Sequence, residues 1–368
     1  MIKHFRSWIW LGVVAAIVVV VAELMSRIDD AVRTETPLLA SPSYTDLTMR
    51  DSLGVRGWPF AHYQKWKLNG AGFRSPEVAL RPSSKCTRFA VMGASETFGY
   101  AESPGKEFPS QLADSLNRGG CYEVMNTAVT GLSLTGQIQL WENWVSRFHP
   151  DIVVIYASPV FYLSNDPPEF QSADKNWEAT STSRTPSFSS RLLGRVHDRV
   201  HYPAFIQRRR VARKLAYATG GRRPDWFFQD VPRDRLELFR KHLDSLVTSI
   251  TSRGAQPILV THAMRFGDSL STEDEDLLHS WRQFTPRATE QVLVRFEIDA
   301  ARAVRELARD RGTPLVDIAA AMTGHTEWFA DFTHFNDEGA AVIAESIAET
   351  IKATRPSTER VVALTGAQ

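Results

Sequence analysis

Apolar positions along this chain fall into three regimes. The first is an unbroken run from Trp8 to Ala22, extended by Phe5, Leu24 and Met25. It approaches the roughly 20 residues that a membrane-spanning helix needs. The second, residues 27–85, is polar with scattered prolines and no sustained period. Trp58, Phe60, Tyr63 and Trp66 mark it as a juxtamembrane extension that packs against something. The third begins at Cys86 and alternates. Short apolar runs predict strands at 89–92, 122–125, 152–156, 257–261 and 315–318, and continuous hydrophobicity suits strands covered on both faces. Between them apolar residues recur at helical spacing. Phe108, Leu112 and Leu116 form one such stripe, and Ile138, Trp141, Val145 and Phe148 a second that stops at Pro150. Leu236, Phe239, Leu243, Leu246 and Ile250 form a third, and Ile343, Ile347 and Ile351 the last. Thr285-Pro286 reads as the cap and first turn of a long helix ending near Gly312. Asn336 and Asp337 are placed to cap the final helix.

Strand-helix alternation of this kind predicts an α/β domain, 86–352, in three layers: a five-stranded parallel sheet with helices on both faces. Residues 353–368 are left as a tail. One segment, 170–234, breaks the rhythm. It carries no strand, and Arg184, Arg191, Arg195, Arg199, Arg208, Arg209, Arg210, Arg213, Arg222 and Arg223 crowd it, interleaved with aromatics such as Trp177, Tyr202 and Trp226. Three readings fit a basic helical insertion: a solvated face, a cap favouring anionic glycans, or a surface resting on anionic lipid headgroups.

Charge changes the picture at the amino terminus. Lys3, His4 and Arg6 precede the apolar run and would hold that end in the cytoplasm, sending everything after Glu23 across the membrane. Residues 1–26 therefore read as a signal anchor. A cleaved signal peptide is the rival, with Val20 and Ala22 as the small residues at a cleavage site. Either way the domain is exported. The formal net charge of +1 argues against a nucleic-acid partner. Cys86 and Cys121 are too few for structural zinc. Each precedes a predicted strand, so they either pair across the sheet's amino end or remain two buried thiols. A bridge would close a loop of about 35 residues and stabilise by about 3–4 kcal/mol.

Candidate chemistry centres on FAVMGASETFGY, from Phe89 to Tyr100. A strand ending in Gly93-Ala94-Ser95 sets a hydroxyl on a turn at the strand's carboxyl end, where open α/β sheets bind ligands. Serine needs a base at neutral pH. DFTHFNDEG, Asp331 to Gly339, offers one: Asp331 lies three residues before His334 and can hold Nδ1, leaving Nε2 for the serine. His262 and His325 compete as bases, but neither has a carboxylate placed so locally. An oxyanion needs N–H donors, for which the Ser95 backbone and the turn at Gly131 are candidates.

These blocks together resemble the SGNH/GDSL hydrolase superfamily, specifically its membrane-anchored bacterial members. GASETFG (93–99) is similar to the nucleophile block, NTAVTG (126–131) to the second, PDIVVIY (150–156) to the strand entering the third, and DFTHFNDEG to the last. LNGAGFRSPE (68–77) resembles the segment leading into the first strand of such members. The resemblance spans about Asn69 to Ile351 and leaves the arginine-rich insertion unmatched. It implies a flavodoxin-like sheet, a triad of Ser95, His334 and Asp331, and an oxyanion hole using the N–H groups of Ser95 and Gly131. It further implies no metal or organic cofactor, an acylated glycan or lipid substrate, and attachment to the bacterial inner membrane with the domain in the periplasm or outside the cell.

Two departures stand out. Ala94 replaces the usual aspartate before the nucleophile. The third block should give Gly-x-Asn-Asp after its strand, its asparagine amide being a third oxyanion donor, but Ala157-Ser158-Pro159-Val160 follows instead. Asn165 or Ser158 could substitute, or the hole has two donors. A lost donor costs about 2.7–4 kcal/mol of transition-state stabilisation, which predicts a slow or specialised enzyme. The leading expectation is a membrane-tethered serine esterase. Its alternatives are an O-acyltransferase using the same triad and a catalytically weak glycan-binding relative.

Overall fold

Apolar content alone would end the first helix near residue 26, yet α1 runs from Ile2 to Thr34. Ion pairs at i,i+4 carry the extra turns: Arg27 to Glu23 and Arg33 to Asp29, each 2.7 Å. From Trp8 onward α1 is long and apolar enough to cross a membrane, and nearly all of its apolar side chains are exposed. The computed structural model describes residues 2–39, 44–83, 85–164, 190–201 and 204–354. The predicted extension contains two antiparallel hairpins, β1 (Thr48–Asp51) with β2 (Gly54–Gly57), and β3 (His62–Tyr63) with β4 (Trp66–Lys67). Leu47, Ala61, Trp66 and Leu68 from this region bury against Phe98 and Ala128 of the main domain.

That domain is built on β5 (Thr87–Gly93), β6 (Tyr122–Asn126), β7 (Ile152–Tyr156), β8 (Gln256–Val260) and β9 (Leu315–Val316). All pair parallel, in the order β6-β5-β7-β8-β9. The order reverses direction at β5, so the crevice beyond the carboxyl ends of β5 and β7 is the expected ligand position. Strand side chains alternate between two cores. Ala90, Met92, Val153, Ile155 and Leu259 pack beneath α4 (Leu134–Asn143), α7 (Arg233–Ser252) and α9 (Glu290–Arg311). Phe89, Val91, Val154, Tyr156 and Ile258 pack beneath α3 (Phe108–Asn117) and α11 (Asp337–Thr354). The remaining helices are α2 (Ser95–Phe98), α5 (Arg191–His201), α6 (Ala204–Thr219), α8 (Thr272–Arg282) and α10 (Ile318–Met322). The three-layer α/β/α arrangement of five parallel strands is the one the alternation predicts.

Local departures have local causes. The stripe through Phe148 is interrupted because Trp144 leaves helical geometry. Val145–Phe148 then forms a 3-10 turn, ended by His149 in the left-handed region (φ 49°). Thr285 is not a helix cap; α9 starts at Glu290 with the Thr289 hydroxyl accepting from the Val292 N–H at 3.2 Å. The helix α8 was absent from the apolar pattern because an acidic first turn dilutes its stripe, and a capping box of Ser271 and Asp274 starts it instead. The last strand stops at Val316, since Asp317 becomes the N-cap of α10. Cys86 and Cys121 are joined as a disulfide at the amino ends of β5 and β6, with Cα atoms 4.6 Å apart. In the insertion, Glu23 of α1 accepts from the Ser190 hydroxyl and from the N–H groups of Arg191 and Leu192, capping α5. Asn165, Trp177, Arg184 and Tyr202, and the tail beyond Thr354, lie outside the described residues.

Candidate active site

The turn after β5 needs glycine at position 93, because a Cβ there would collide with the Thr97 hydroxyl and the Tyr156 carbonyl. The chain then turns immediately into α2, with Ser95 as its first residue and half-buried. Asn126, at the end of β6, braces this short helix: its amide donates to the Thr97 carbonyl at 3.0 Å. Arg74 adds a second brace, donating to the Phe98 carbonyl at 2.7 Å while its guanidinium pairs with buried Glu107 at 2.9 Å. The backbone N–H groups of Ser95 and Gly131 have no hydrogen-bond partner among the described residues. Gly131 sits exposed at φ 72°, a conformation glycine adopts without strain.

On the far side of the rim, residues 330–335 form a tight loop. The Ala330 N–H donates to the His334 carbonyl at 2.8 Å, and Phe329 and Phe335 pair across it. Asp331 Oδ1 accepts from the N–H groups of Thr333 (2.9 Å) and His334 (2.8 Å), which turns Oδ2 onto His334 Nδ1 at 2.7 Å. A carboxylate only accepts, so Nδ1 carries the proton and Nε2 is the basic nitrogen. Nε2 is buried and has no hydrogen-bond partner among the described residues. Burial opposes charge on this imidazole, but the bond to Asp331 and the charges of Asp331 and Glu96 win and raise its pKa. For Asp331 burial also opposes charge, and the bond to His334 outweighs it, lowering the pKa. The Tyr100 ring lies 4.8 Å from the imidazole and is itself stacked on Trp66 at 5.3 Å.

Asp331 and His334 are thus brought into direct contact. Ser95 and His334 do not share a hydrogen bond in this structure; the Ser95 hydroxyl donates to Glu96 Oε2 at 3.3 Å. Their segments meet through that same carboxylate, since the Thr333 hydroxyl donates to Glu96 Oε1 at 3.2 Å. Ser158, weighed above as an oxyanion donor, is buried and gives its one hydroxyl proton to Glu96 Oε1 at 3.1 Å, so that hydroxyl is not available to an oxyanion. His325 is an exposed residue bonded to Glu327 at 3.0 Å.

His262 differs from its first reading. It lacks a local carboxylate but has two distant ones, with Nε2 3.3 Å from Glu96 Oε1 and Nδ1 2.8 Å from Glu297 Oε2. Burial works against its charge, yet Glu297 and Glu96 push its pKa up to about 10. Burial works against Glu96 too, and the bond to His262 brings its pKa down to about 2. Sequence reasoning passed over Glu96, Glu297 and Thr333. Signals were present: Glu96 is a charge inside an otherwise small, neutral turn, and Glu297 lies on the apolar face of α9 beside Leu293, Phe296 and Ala300. Glu102, whose Oε1 is buried without a partner, has its pKa raised to about 8 by burial.

No family model and no curated protein matches this chain. Among solved structures it is similar to a variant of an acetyl xylan esterase from Geobacillus stearothermophilus (14% identity, TM-score 0.42, covering 74% of this chain and 97% of that one). A lipase/acylhydrolase from Enterococcus faecalis gives 14% identity and TM-score 0.42 over 73% of this chain and 96% of its own. A GDSL-like lipase from Bacteroides thetaiotaomicron gives 13% and 0.39 over 73% and 89%. Identities and scores of this size transfer neither residue roles nor substrates to this chain.

Proposed function

We propose that this protein is a serine ester hydrolase of SGNH/GDSL type. The observation that carries the reading is the rim loop: Asp331 fixes the His334 tautomer at 2.7 Å and leaves a buried, unbonded Nε2 on the segment that contacts the residue after Ser95. Rotation of the Ser95 side chain off Glu96 and onto His334 Nε2 primes the nucleophile. Its oxygen then bonds to the substrate acyl carbon as His334 takes the proton. The unpartnered N–H groups of Ser95 and Gly131 hold the oxyanion. Collapse breaks the ester C–O bond, and His334 returns the proton to the departing alkoxide. Water, deprotonated by the same imidazole, releases the acid and restores Ser95.

With the Ser158 hydroxyl committed to Glu96, the donors left among the described residues are the two backbone N–H groups, which fits a slow enzyme for a specific ester better than a fast general one. We assign the substrate to acyl esters, acetyl foremost, on envelope glycans or lipids. The helix α1 tethers the domain to the bacterial inner membrane, with the active site outside the cytoplasm, and the Cys86–Cys121 bridge suits an oxidising compartment. Hydrolysis of p-nitrophenyl acetate by the wild type, abolished in Ser95→Ala, is the expected result. Equal rates in the two proteins overturn the assignment.

A further inference from the structure

Glu96, His262 and Glu297 form a charged relay sealed beneath the rim; each is no more than 3% exposed. Glu96 is its centre. It receives hydroxyl bonds from three segments at once: its own helix through Ser95, the loop after β7 through Ser158, and the loop before α11 through Thr333. The loop after β8 supplies His262, and α9 supplies Glu297 behind it. A group that accepts from every side must be an anion. Nε2 lies at hydrogen-bond distance from Glu96 and Nδ1 at ion-pair distance from Glu297, out of hydrogen-bond alignment; with both carboxyl groups ionised, the imidazole can present an N–H to each only as the imidazolium.

We infer that His262 is a permanently protonated positioning residue, whose charge keeps Glu96 an anion so that Glu96 can hold the Ser95 helix and the His334 loop in fixed register. The remaining groups facing the relay fit this role. Tyr156 lies with its ring 5.2 Å from the imidazole, and burial and the charge of Glu96 raise its pKa, so it adds no competing charge. His334, once protonated, is the other cation that interacts electrostatically with Glu96. The relay therefore does two things. It ties the nucleophile's segment to the base's segment through one carboxylate, and it places a negative charge where it supports the imidazolium that His334 becomes during turnover. It also gives the resting Ser95 hydroxyl an acceptor other than His334. Loss of the His262 charge would let Glu96 take up a proton, turning an acceptor into a donor and releasing Thr333 and Ser158.

This inference concerns how the proposed esterase site is held, so its test must fail separately from that reading. The first measurement does not depend on activity: nitrogen-15 spectra of histidine-labelled full-length protein in detergent micelles, recorded from pH 6 to 9. One imidazole is expected to keep both ring N–H signals at pH 9, and His262→Gln is expected to remove that resonance. Absence of any imidazolium at pH 8 overturns the inference, whatever the enzyme's activity. The second measurement is Glu96→Gln, which keeps the shape and removes the charge. Its kcat for p-nitrophenyl acetate is expected to fall about 100-fold, the scale of a misplaced reacting group, with KM little changed and the acid limb of kcat/KM moved to lower pH. An unmoved pH limb overturns the electrostatic part of the inference. Fluorophosphonate labelling of Ser95 reports on the esterase reading alone: wild type that fails to label ends that reading and leaves the spectrum of His262 to stand or fall by itself.

Discussion

Two imidazoles sit within reach of one carboxylate, and their surroundings are opposite. His334 is engaged on one side only: Asp331 holds Nδ1, and Nε2 is left without a partner. His262 faces a carboxylate oxygen at each nitrogen, Glu96 at 3.3 Å and Glu297 at 2.8 Å. The first is arranged to exchange a proton, the second to keep one. The difference teaches that a raised pKa says little about a histidine's task until the number of its free lone pairs is counted, for both residues are shifted in the same direction.

The contrast can be broken by substitution. The largest effect is expected from His334→Ala, which should lower kcat on a chromogenic ester by roughly 10⁴–10⁶-fold. The same change strands Asp331 Oδ2 and leaves a gap beside Tyr100, so denaturation should show a loss of about 1–3 kcal/mol. Asp331→Asn keeps the loop and inverts the tautomer; a loss on the order of 10⁴-fold in kcat is expected, with KM nearly unchanged. His262→Leu acts on the other imidazole. It strands two buried carboxylates, and chemical denaturation should show a loss of about 3–5 kcal/mol.

The pH dependence sharpens the same point. In the fold His262 is pushed up to about 10 from the ordinary 6.5, so its contribution is complete below pH 6.5 and is lost as pH rises toward 10. In His262→Leu that alkaline decline should flatten. The smallest effect concerns Glu102, protonated in the fold up to about pH 8 against 4.5 for the free group. Its contribution is present below pH 4.5 and is lost between there and pH 8. Glu102→Gln should remove that slope, a gain on the order of 2–4 kcal/mol at pH 8, read by denaturant midpoints across pH.

What could be read in the sequence tracks the range of the interactions concerned. The strands β5, β7 and β8 were legible as apolar runs covered on both faces, and the edge strands β6 and β9 followed from the alternation with helices. Asp331 and His334 were legible because three residues separate them. The relay was not. Glu96 and His262 are 166 residues apart, and only the parallel sheet brings their loops to one rim. Ser158 stood out in the sequence as a substitute for a missing donor, and nothing local to it reveals that its proton is already taken. The helix α8 was hidden because Leu278 and Trp281 alone mark its buried face among charged neighbours.

The stretch between α1 and the sheet has a mechanical consequence. Lys67 pairs with Glu35 at 2.6 Å just past the end of α1, and the Trp66 indole beside it donates to the Gly99 carbonyl at 3.2 Å. The Lys67–Glu35 pair is exposed whereas Trp66 is buried, so the hairpins are held more firmly to the sheet domain than to α1. Replacing the hairpins with a flexible spacer of equal length would remove the stack of Trp66 on Tyr100, the ring that lies beside His334.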